Sequence, residues 1–314
     1  MIIQDNKLDN NFFHIIFMLS EQCNFRCIYC YEKFSNNKAN DLDQRIIKSI
    51  HKLVYYYNID RLNMSFFGGE PMLYYDKIIK IMEYSNSIIN THGDMTTNGY
   101  LLNKEKFEKL VKLNVREYQI TFDGYKDYHD KVRITIGKTP TFDMIFKNIV
   151  SYKDLKEDFR ITIRIHMHKN NFSSVKKLID LLADYLADDK RYVLFLRSIS
   201  RLGGPNDNAI MLPSREEVED AITYAKSRGL NIVLNRNMSN FCYASLPNSI
   251  VIRADGKISK CTVDLYSDRN IVGYLDSNGN LVLDQDKIRF WARGFFTGNL
   301  GELRCPLTGE DIYD

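Results

Sequence analysis

The sequence predicts an α/β protein, a partial (β/α)6 TIM barrel followed by a small C-terminal domain that contains a β-hairpin. From the start to about residue 230, short β-rich runs alternate with amphipathic helical patterns, which is typical of repeated βα units. Beyond this region the pattern changes to a hairpin about the turn Asp255-Gly256. We therefore expect a barrel domain over residues 1–235 and a hairpin-containing domain over residues 236–314.

Six strands alternate with helices in the predicted barrel. Helical spacing of apolar residues is clearest from Leu42 to Tyr57 and from Val175 to Leu186, and a last helical pattern covers Val218 to Ala225. The hairpin strands are expected at Ser249–Ala254 and Lys257–Cys261. The six barrel strands are expected, in order, at Phe13–Leu19, Leu62–Phe67, Asp94–Asn98, Val115–Phe122, Arg160–Met167 and Tyr192–Arg197.

The fourth and fifth strands alternate apolar and polar residues, whereas a parallel strand buried on both faces is usually apolar throughout. In the fifth strand the apolar set is Ile161, Ile163, Ile165 and Met167, and the polar set is Thr162, Arg164, His166 and His168. If the apolar face packs on helices, the polar face lines a cavity. The alternative is a sheet with one face exposed to solvent.

Composition and charge exclude several classes of protein. The 314 residues are 44% hydrophobic, and 43 Lys and Arg against 40 Asp and Glu leave a net charge of only +3. This balance gives no reason to expect a nucleic-acid or anionic-membrane partner. The apolar run Phe12–Leu19 is too short to span a membrane, and Met1–Asn11 does not resemble a secretory signal. We therefore expect a cytoplasmic protein without a membrane partner.

Three of the six cysteines fall within eight positions directly after the first strand: Cys23, Cys27 and Cys30. Thiolates are soft ligands that suit zinc or an iron–sulfur cluster. A structural zinc site would need a fourth ligand, and the candidates His14 and His51 are not at the usual spacing. Three thiolates suit a four-iron cluster with one iron left open.

The segment Gly68-Gly69-Glu70-Pro71 follows the second strand. Two glycines allow the backbone to approach a ligand closely, and a carboxylate can accept hydrogen bonds from an ammonium group. Taken alone, the same four residues also fit an ordinary tight turn between a strand and a helix.

Together these motifs resemble the radical S-adenosylmethionine (SAM) enzymes over residues 13 to about 200. The resemblance rests on the cysteine spacing, on Tyr29 before the third cysteine, and on Gly-Gly-Glu-Pro after the second strand. It implies that the three cysteines hold a [4Fe-4S] cluster whose open iron binds SAM. An electron from the cluster would cleave SAM to a 5′-deoxyadenosyl radical, which abstracts hydrogen from the substrate.

The resemblance also implies roles for single residues. Gly68, Gly69 and Glu70 would receive the methionyl amino group, and Tyr29 would lie near the adenine. Two further segments, Thr96 to Gly99 and Thr121 to Arg133, resemble sulfatase-maturating and peptide-modifying enzymes, so Asn98 would belong to the SAM site, Thr121 would contact the ribose and Arg133 the methionyl carboxylate. Asn98-Gly99 and Asp123-Gly124 are also common turns, and Arg133 could be a surface cation.

The candidate catalytic residues are Asp123 and Arg164. The planar guanidinium of Arg164 suits a carbonyl or carboxylate group of the substrate.

The remaining cysteines are Cys242, Cys261 and Cys305. The first two, with Gly256 between them, resemble the opening of the auxiliary-cluster domains called SPASM and Twitch. A Twitch domain continues with a Cys-x2-Cys pair, whereas here Cys305 leads to Thr308. Either a second [4Fe-4S] cluster has three protein thiolates and an open fourth site, or some of these cysteines are buried free thiols.

We therefore expect a radical SAM enzyme with two [4Fe-4S] clusters that oxidises a residue of a peptide or protein, giving a cross-link or another oxidative modification. The alternatives are a peptide epimerase, a radical SAM enzyme acting on a small molecule, and a non-enzymatic iron–sulfur or zinc protein. The expected partners are the substrate, an electron donor such as flavodoxin or ferredoxin, and a separate precursor-recognition protein, because no recognition domain precedes the first strand.

Overall fold

A computed structural model describes residues 11–36, 38–233 and 241–307. The strands are β1 (Phe12–Met18), β2 (Arg61–Phe66), β3 (Asn90–Thr97), β4 (Val115–Phe122), β5 (Arg160–Met167), β6 (Tyr192–Ser198), β7 (Ser249–Arg253), β8 (Lys257–Ser259), β9 (Ile271–Leu275) and β10 (Leu281–Leu283). The α-helices are α1 (Leu42–Tyr57), α2 (Tyr75–Ile88), α3 (Lys104–Lys112), α4 (Lys126–Val132), α5 (Phe142–Ser151), α6 (Phe172–Leu186), α7 (Arg215–Ser227), α8 (Gln285–Thr297) and α9 (Leu300–Arg304).

The chain forms two compact units. The first comprises Met1–Glu21, Ser35–Asp94 and Asn237–Asp314, and the second comprises Gln22–Phe34 and Met95–Arg236. The boundary predicted near residue 235 lies outside the described residues, so the division into residues 1–235 and 236–314 stays a prediction. Within the described ranges, no helix is both long enough and apolar enough to cross a membrane.

In the first unit the C-terminal hairpin extends the parallel sheet. The strand order is β10-β9-β8-β7-β1-β2, with β3 beyond β2. Strand β1 pairs in parallel with β2 on one side and with β7 on the other, where His14 lies opposite Ser249. From β7 to β10 the pairing is antiparallel. The predicted hairpin is confirmed, and its attachment to β1 was not predicted.

The core of the first unit lies between the apolar face of this sheet and its helices. Phe17 and Phe66 stack with ring centroids 5.7 Å apart. The apolar stripe of α1 faces inward, with Ile46 and Ile50 fully buried. The helix ends at Asn58, whose left-handed conformation is one that asparagine tolerates well. The spacing of apolar residues that predicted α1 therefore corresponds to the face of the helix that packs on the sheet.

In the second unit β4, β5 and β6 pair in parallel in that order. The apolar set of β5 is fully buried, and so are Val175, Leu178 and Leu182 of α6. The polar set of β5 is not open to solvent: Thr162 and His168 are buried, and Arg164 and His166 are half-buried. The predicted fold class, α/β with a parallel sheet and a C-terminal hairpin, is confirmed.

Candidate active site

Cys23, Cys27 and Cys30 lie on the loop that follows β1. All three are half-buried, and none of them forms a disulfide bond. Main-chain hydrogen bonds fix the loop to the end of α4 and the residues after it, from Ile28 N–H to Val132 O at 3.1 Å and from Arg26 N–H to Ile134 O at 2.8 Å. The cysteine loop is therefore held by backbone contacts that could not be predicted from the sequence of the loop alone.

The sulfur atoms lie among hydrogen-bond donors. Phe25 N–H lies 3.3 Å from Cys23 Sγ, and Asn98 Nδ2 lies 3.8 Å from the same atom. Asn98 also donates to Asn24 Oδ1 at 2.8 Å, which ties the end of β3 to the cysteine loop. Burial raises the pKa of Cys30 to about 12 and raises that of Cys27, so ligation must displace these protons.

This donor set fits a [4Fe-4S] cluster, because one loop supplies three thiols and two N–H groups are directed at the first of them, Cys23. Among the residues that the structure describes, no group of three or more His, Cys, Asp or Glu side chains is arranged to hold a single metal ion. A four-iron cluster takes each thiolate on a different iron, so its ligands are spaced differently from those of one ion.

Asp123 is the centre of a buried polar cluster just after β4. Its Oδ2 accepts a hydrogen bond from the Tyr29 hydroxyl at 2.7 Å and lies 3.7 Å from Arg133 Nε. Arg133 Nη1 donates to the Tyr29 hydroxyl oxygen at 2.6 Å. His168 Nε2 lies 3.1 Å from Asp123 Oδ1, and His166 Nδ1 lies 3.3 Å from it in poor hydrogen-bond geometry. Three predicted site residues thus share one cluster, together with His166 of β5 and His168 just after it.

The electrostatics of this cluster favour an ionised Asp123. Burial alone would raise the pKa of this fully buried carboxyl group, but His166, His168 and the Arg133 guanidinium hold it well below its usual value. Burial and the Arg164 charge lower the pKa of His166 to about 4, so His166 is neutral at pH 7. The arrangement can therefore hold Arg133 in a fixed position relative to Tyr29 of the cysteine loop.

Side chains of the segment His129 to Arg133 accept hydrogen bonds from the main chain of neighbouring segments. His129 Nδ1 lies 3.4 Å from the N–H of Asp123 and accepts its hydrogen. Asp130 Oδ1 accepts hydrogen bonds from Thr141 N–H and Phe142 N–H at the start of α5. Arg133 follows α4 and is buried, so the interpretation as a surface cation is wrong.

Thr121 and Arg164 are neighbours across β4 and β5. Thr121 is buried, and the guanidinium of Arg164 lies 5.9 Å from the centre of the Phe195 ring. Arg197 lies at the same distance from that ring. Arg164 therefore lies beside an aromatic and a cationic side chain of β6.

A cavity of about 110 Å³ adjoins the polar cluster within the second unit. Its lining includes Tyr29 and His168, together with Tyr128, Asn206 and Met211. Asn206 also donates to Ile28 O in the cysteine loop at 2.7 Å. Tyr128 and Asn206 were missed by the sequence analysis, because neither stands in a recognisable motif.

In the first unit, Gly68 and Gly69 adopt positive φ angles of 84° and 52°. A Cβ atom at Gly68 would lie 2.6 Å from the Met18 side chain, so only glycine fits there. Glu70 is completely buried, and its Oε1 accepts a hydrogen bond from Met72 N–H at 2.9 Å. The motif forms a tight turn that requires glycine at Gly68, and Glu70 caps the short helix that follows, so its role in binding SAM stays a prediction.

The C-terminal cysteines also lie in the first unit. Cys242 N–H donates to Leu303 O at 2.7 Å, within helix α9, which directly precedes Cys305. Burial and the thiols of Cys261 and Cys305 raise the pKa of Cys242 to about 12, against the opposing charge of Lys260. Val263 N–H and Asp264 N–H lie 3.3 Å and 3.4 Å from Cys261 Sγ. A main-chain hydrogen bond thus joins Cys242 to the helix that precedes Cys305, and Cys261 has N–H donors of the kind that support an iron–sulfur ligand.

The first unit also contains a chain of side-chain hydrogen bonds that sequence reasoning missed. Ser65 donates to Asp94 Oδ2 at 2.5 Å, and its oxygen lies 2.9 Å from His14 Nε2. Ser249 lies 3.1 Å from His14 Nδ1. Pairing between β1 and β7 brings these side chains together, and no local pattern could have indicated it.

Three proteins show how this sequence is related to others. An uncharacterized protein from Methanocaldococcus jannaschii is 34% identical over 154 residues, which are 48% of this chain and 51% of that protein. A cysteine-type anaerobic sulfatase-maturating enzyme from Clostridium novyi is 25% identical over 288 residues, 82% of this chain and 75% of the enzyme. The radical SAM cyclopropyl synthase TigE from Paramaledivibacter caminithermalis is 22% identical over 324 residues, 93% of this chain and 65% of TigE. The chain thus spans between about half and three quarters of these relatives.

Two solved structures share the fold. The structure of anSMEcpe with bound AdoMet and Cp18Cys peptide has a TM-score of 0.63 at 15% identity, covering 88% of this chain and 80% of that one. Streptococcus suis SuiB bound to the precursor peptide SuiA has a TM-score of 0.62 at 16% identity, covering 94% and 67%.

Residues 17–182, slightly more than half of the chain, match the Radical SAM superfamily. This segment contains the cysteine loop, the Gly-Gly-Glu turn and the Asp123 cluster described above. The fold is accordingly that of a partial TIM barrel, and the family implies a [4Fe-4S] cluster and SAM as cofactors. The chain belongs to the radical SAM superfamily.

Proposed function

We propose that this enzyme abstracts hydrogen from a residue of a peptide or protein and thereby forms a cross-link or another oxidative modification, of the kind made in ribosomal peptide maturation. The observation that carries the proposal is a second set of three cysteines in a radical SAM enzyme: Cys242 is bonded through its main chain to the helix that precedes Cys305, and two N–H groups are directed at Cys261 Sγ. The relatives point the same way, since they include a sulfatase-maturating enzyme and TigE, and SuiB binds a precursor peptide.

When bound at Cys23, Cys27 and Cys30, the first cluster supplies the electron that cleaves SAM to a 5′-deoxyadenosyl radical. The chain's own residues have the task of binding and orienting SAM. In this proposal Gly68, Gly69 and Glu70 receive the methionyl amino group. The remaining SAM-binding residues are Tyr29, Asn98, Thr121 and Arg133.

In this proposal the Asp123 carboxylate holds the Arg133 guanidinium in the orientation that SAM binding requires. The Arg133 guanidinium is buried beside Tyr29 and an ionised Asp123, so its direction is fixed before SAM binds. A preoriented guanidinium binds a carboxylate without the cost of ordering a long side chain. Arg164, further along the same face, is assigned to a carbonyl or carboxylate of the substrate.

The C-terminal thiols distinguish oxidation from epimerisation. An epimerase needs a free thiol that returns a hydrogen atom to the substrate radical. Here Cys242, Cys261 and Cys305 are assigned to a second [4Fe-4S] cluster with an open fourth site. Such a cluster can take up the electron that remains after hydrogen abstraction, so we favour oxidation.

The proposal also includes two partners, an electron donor such as flavodoxin or ferredoxin and a separate precursor-recognition protein. It includes a cytoplasmic location, because thiols stay reduced in that compartment.

The test begins with anaerobic reconstitution and iron analysis. Wild-type protein should hold about eight irons, and replacing Cys23, Cys27 and Cys30 by Ala should halve the iron and abolish reductive cleavage of SAM. The matched control replaces Cys242, Cys261 and Cys305 by Ala, which should also halve the iron but leave cleavage of SAM. Cleavage that survives the first triple substitution would refute the cluster assignment.

Peptides encoded beside the gene are then the substrates to assay by mass spectrometry. An internal cross-link lowers the peptide mass by about two hydrogens. A peptide of unchanged mass that gains one deuteron at an α-carbon in deuterium oxide would instead identify an epimerase. Turnover of small molecules alone, with no peptide modified, would favour the small-molecule alternative.

A further inference from the structure

The cysteine loop forms part of the surface of the second unit at Ile28. This residue directly follows Cys27, and 49% of it is exposed. Consecutive Cα atoms are about 3.8 Å apart, so a cluster ligated by Cys27 lies close to this surface. A partner that rests on Ile28 therefore comes close to the first cysteine site.

Two segments flank Ile28. On one side the residues after α4 run along the cysteine loop, where Ile136 N–H donates to Asn24 O at 3.0 Å. On the other side lies the loop after β6, where Asn206 Nδ2 donates to Ile28 O at 2.7 Å. The cysteine loop and both segments belong to the second unit, so this surface is built within one compact body.

Exposed cations surround this surface. Asp207 is the only carboxylate between residues 131 and 140 and between residues 199 and 213 of the sequence, and it is half-buried. The net charge of +3 for the whole chain therefore conceals a local excess of positive charge. We name four exposed residues the basic face: Lys131 and Lys138 on the first segment, Arg201 on the second, and Lys169, whose N–H donates to Met211 O at 3.1 Å.

The basic face also contains exposed apolar side chains. Ile28, Ile136, Met211 and Leu212 are all exposed. Exposed apolar side chains bordered by charged ones are typical of a surface that binds another protein. Cations at the border favour an acidic partner and increase the rate at which it arrives.

We propose that the basic face is the docking site of the electron donor, and that this donor is a small acidic protein with a one-electron cofactor. The inference rests on the proposed function, which includes such a donor. Reductive cleavage of SAM consumes one electron, which has to enter the protein from outside. That electron passes from the docked partner, which is oxidised, to the cluster at Cys23, Cys27 and Cys30, which is reduced.

The position of the basic face supports this partner over others. Electron transfer slows steeply with distance, so the donor must dock beside the cysteine loop, and the basic face adjoins that loop. A second copy of the chain is a poor occupant, because it would bring the same cations to the surface. An acidic substrate peptide is the remaining occupant, and the experiment separates it from the donor.

The experiment compares two reductants on the reconstituted holoenzyme. Flavodoxin, kept reduced by NADPH and its reductase, needs a docking site, whereas dithionite is a small reductant that needs none. In the double variant Lys131→Glu/Lys138→Glu, calorimetry should show a dissociation constant for flavodoxin that is higher by about tenfold or more, because two attractive charges become repulsive. Cleavage of SAM at limiting flavodoxin should fall accordingly, and cleavage with dithionite should keep the wild-type rate.

The matched control is the double variant Lys156→Glu/Lys190→Glu. It makes the same change of charge at two exposed lysines that precede β5 and β6, at the opposite ends of those strands from the basic face. This variant should follow wild type with both reductants. Added salt should weaken the binding of flavodoxin to wild type and affect its binding to Lys131→Glu/Lys138→Glu less.

Equal affinity for flavodoxin in the two double variants would overturn the docking site, and so would wild-type protein that binds neither flavodoxin nor ferredoxin. If Lys131→Glu/Lys138→Glu also slows cleavage with dithionite, the dissociation constant decides, and an unchanged value overturns the inference. Unchanged binding of flavodoxin with weaker binding of an acidic peptide encoded beside the gene would assign the basic face to the substrate instead. The flavodoxin measurements need neither peptide modification nor the C-terminal thiols, so a failure of the proposed peptide chemistry remains a separate result.

Discussion

Acidification should destabilise the protein, and His129 should account for a definable part of the loss. His129 is completely buried. Its Nδ1 accepts the N–H of Asp123, and its Nε2 lies 3.2 Å from Thr141 Oγ1, whose own hydrogen goes to Arg133 O at 2.6 Å. A proton on Nδ1 would therefore face the N–H of Asp123. Burial and the charge of Arg133 lower the pKa of His129 to about 3.

The direction and size of this loss of stability follow from the protonation of His129 in the unfolded and folded states. Between about pH 6.5 and pH 3 the unfolded chain binds a proton at His129 and the folded protein does not, so stability is present above pH 6.5 and is lost as the pH falls. Between pH 7.5 and pH 5.5 this one residue should cost about 1.4 kcal/mol. Urea unfolding of the reduced, iron-free chain at both pH values measures the loss.

The informative comparison is with His129→Gln, which removes the titrating group. This variant should lose about 1.4 kcal/mol less than wild type over the same pH interval, although it is less stable at pH 7.5. His51→Gln, at an exposed histidine of α1, is the control and should follow wild type. The reasoning is refuted if wild type and His129→Gln lose equal stability between the two pH values.

Two further substitutions test the first unit by urea unfolding. Gly68→Ala should cost about 2–4 kcal/mol, since it combines a positive φ with a Cβ 2.6 Å from Met18. Gly298→Ala, with a similar φ and no atom within 4 Å, should cost about 1–2 kcal/mol, and an equal loss in the two variants would contradict the steric argument. Arg253→Met should cost about 3–5 kcal/mol because it leaves Glu21 buried without its ion partner. Adding Glu21→Gln to Arg253→Met should recover part of that loss, and no recovery would show that the carboxylate is not the cause.

Local patterns predicted most of the elements. Strands β4 and β5 are predicted to the residue, because an alternating apolar set fixes both their ends and their faces. Strand β3 begins four residues earlier than predicted, at Asn90, since the segment from Asn90 to Gly93 is polar and has low strand propensity. The strand forms nevertheless, because pairing within a sheet overrides such preferences.

The candidate site was predictable as a set of residues and not as a set of contacts. Cys23, Cys27 and Cys30 are close in sequence, so their spacing alone indicates a shared ligand. Tyr29 and Asp123 are 94 positions apart, and nothing in either segment indicates their hydrogen bond. The burial of Lys260, just after β8, could not be predicted, because an isolated lysine beside a hairpin strand normally faces solvent.

The attachment of β7 to β1 has a consequence for how the chain folds during synthesis. His14 lies opposite Ser249, and 235 positions separate them. At about 5–20 residues per second, the ribosome needs roughly 12–47 s to reach β7 after it has made β1. Throughout that time one edge of β1 has no permanent neighbour, and an unpaired edge of an apolar strand invites pairing with other chains. A chain that stops before β7 should therefore aggregate rather than yield a smaller enzyme.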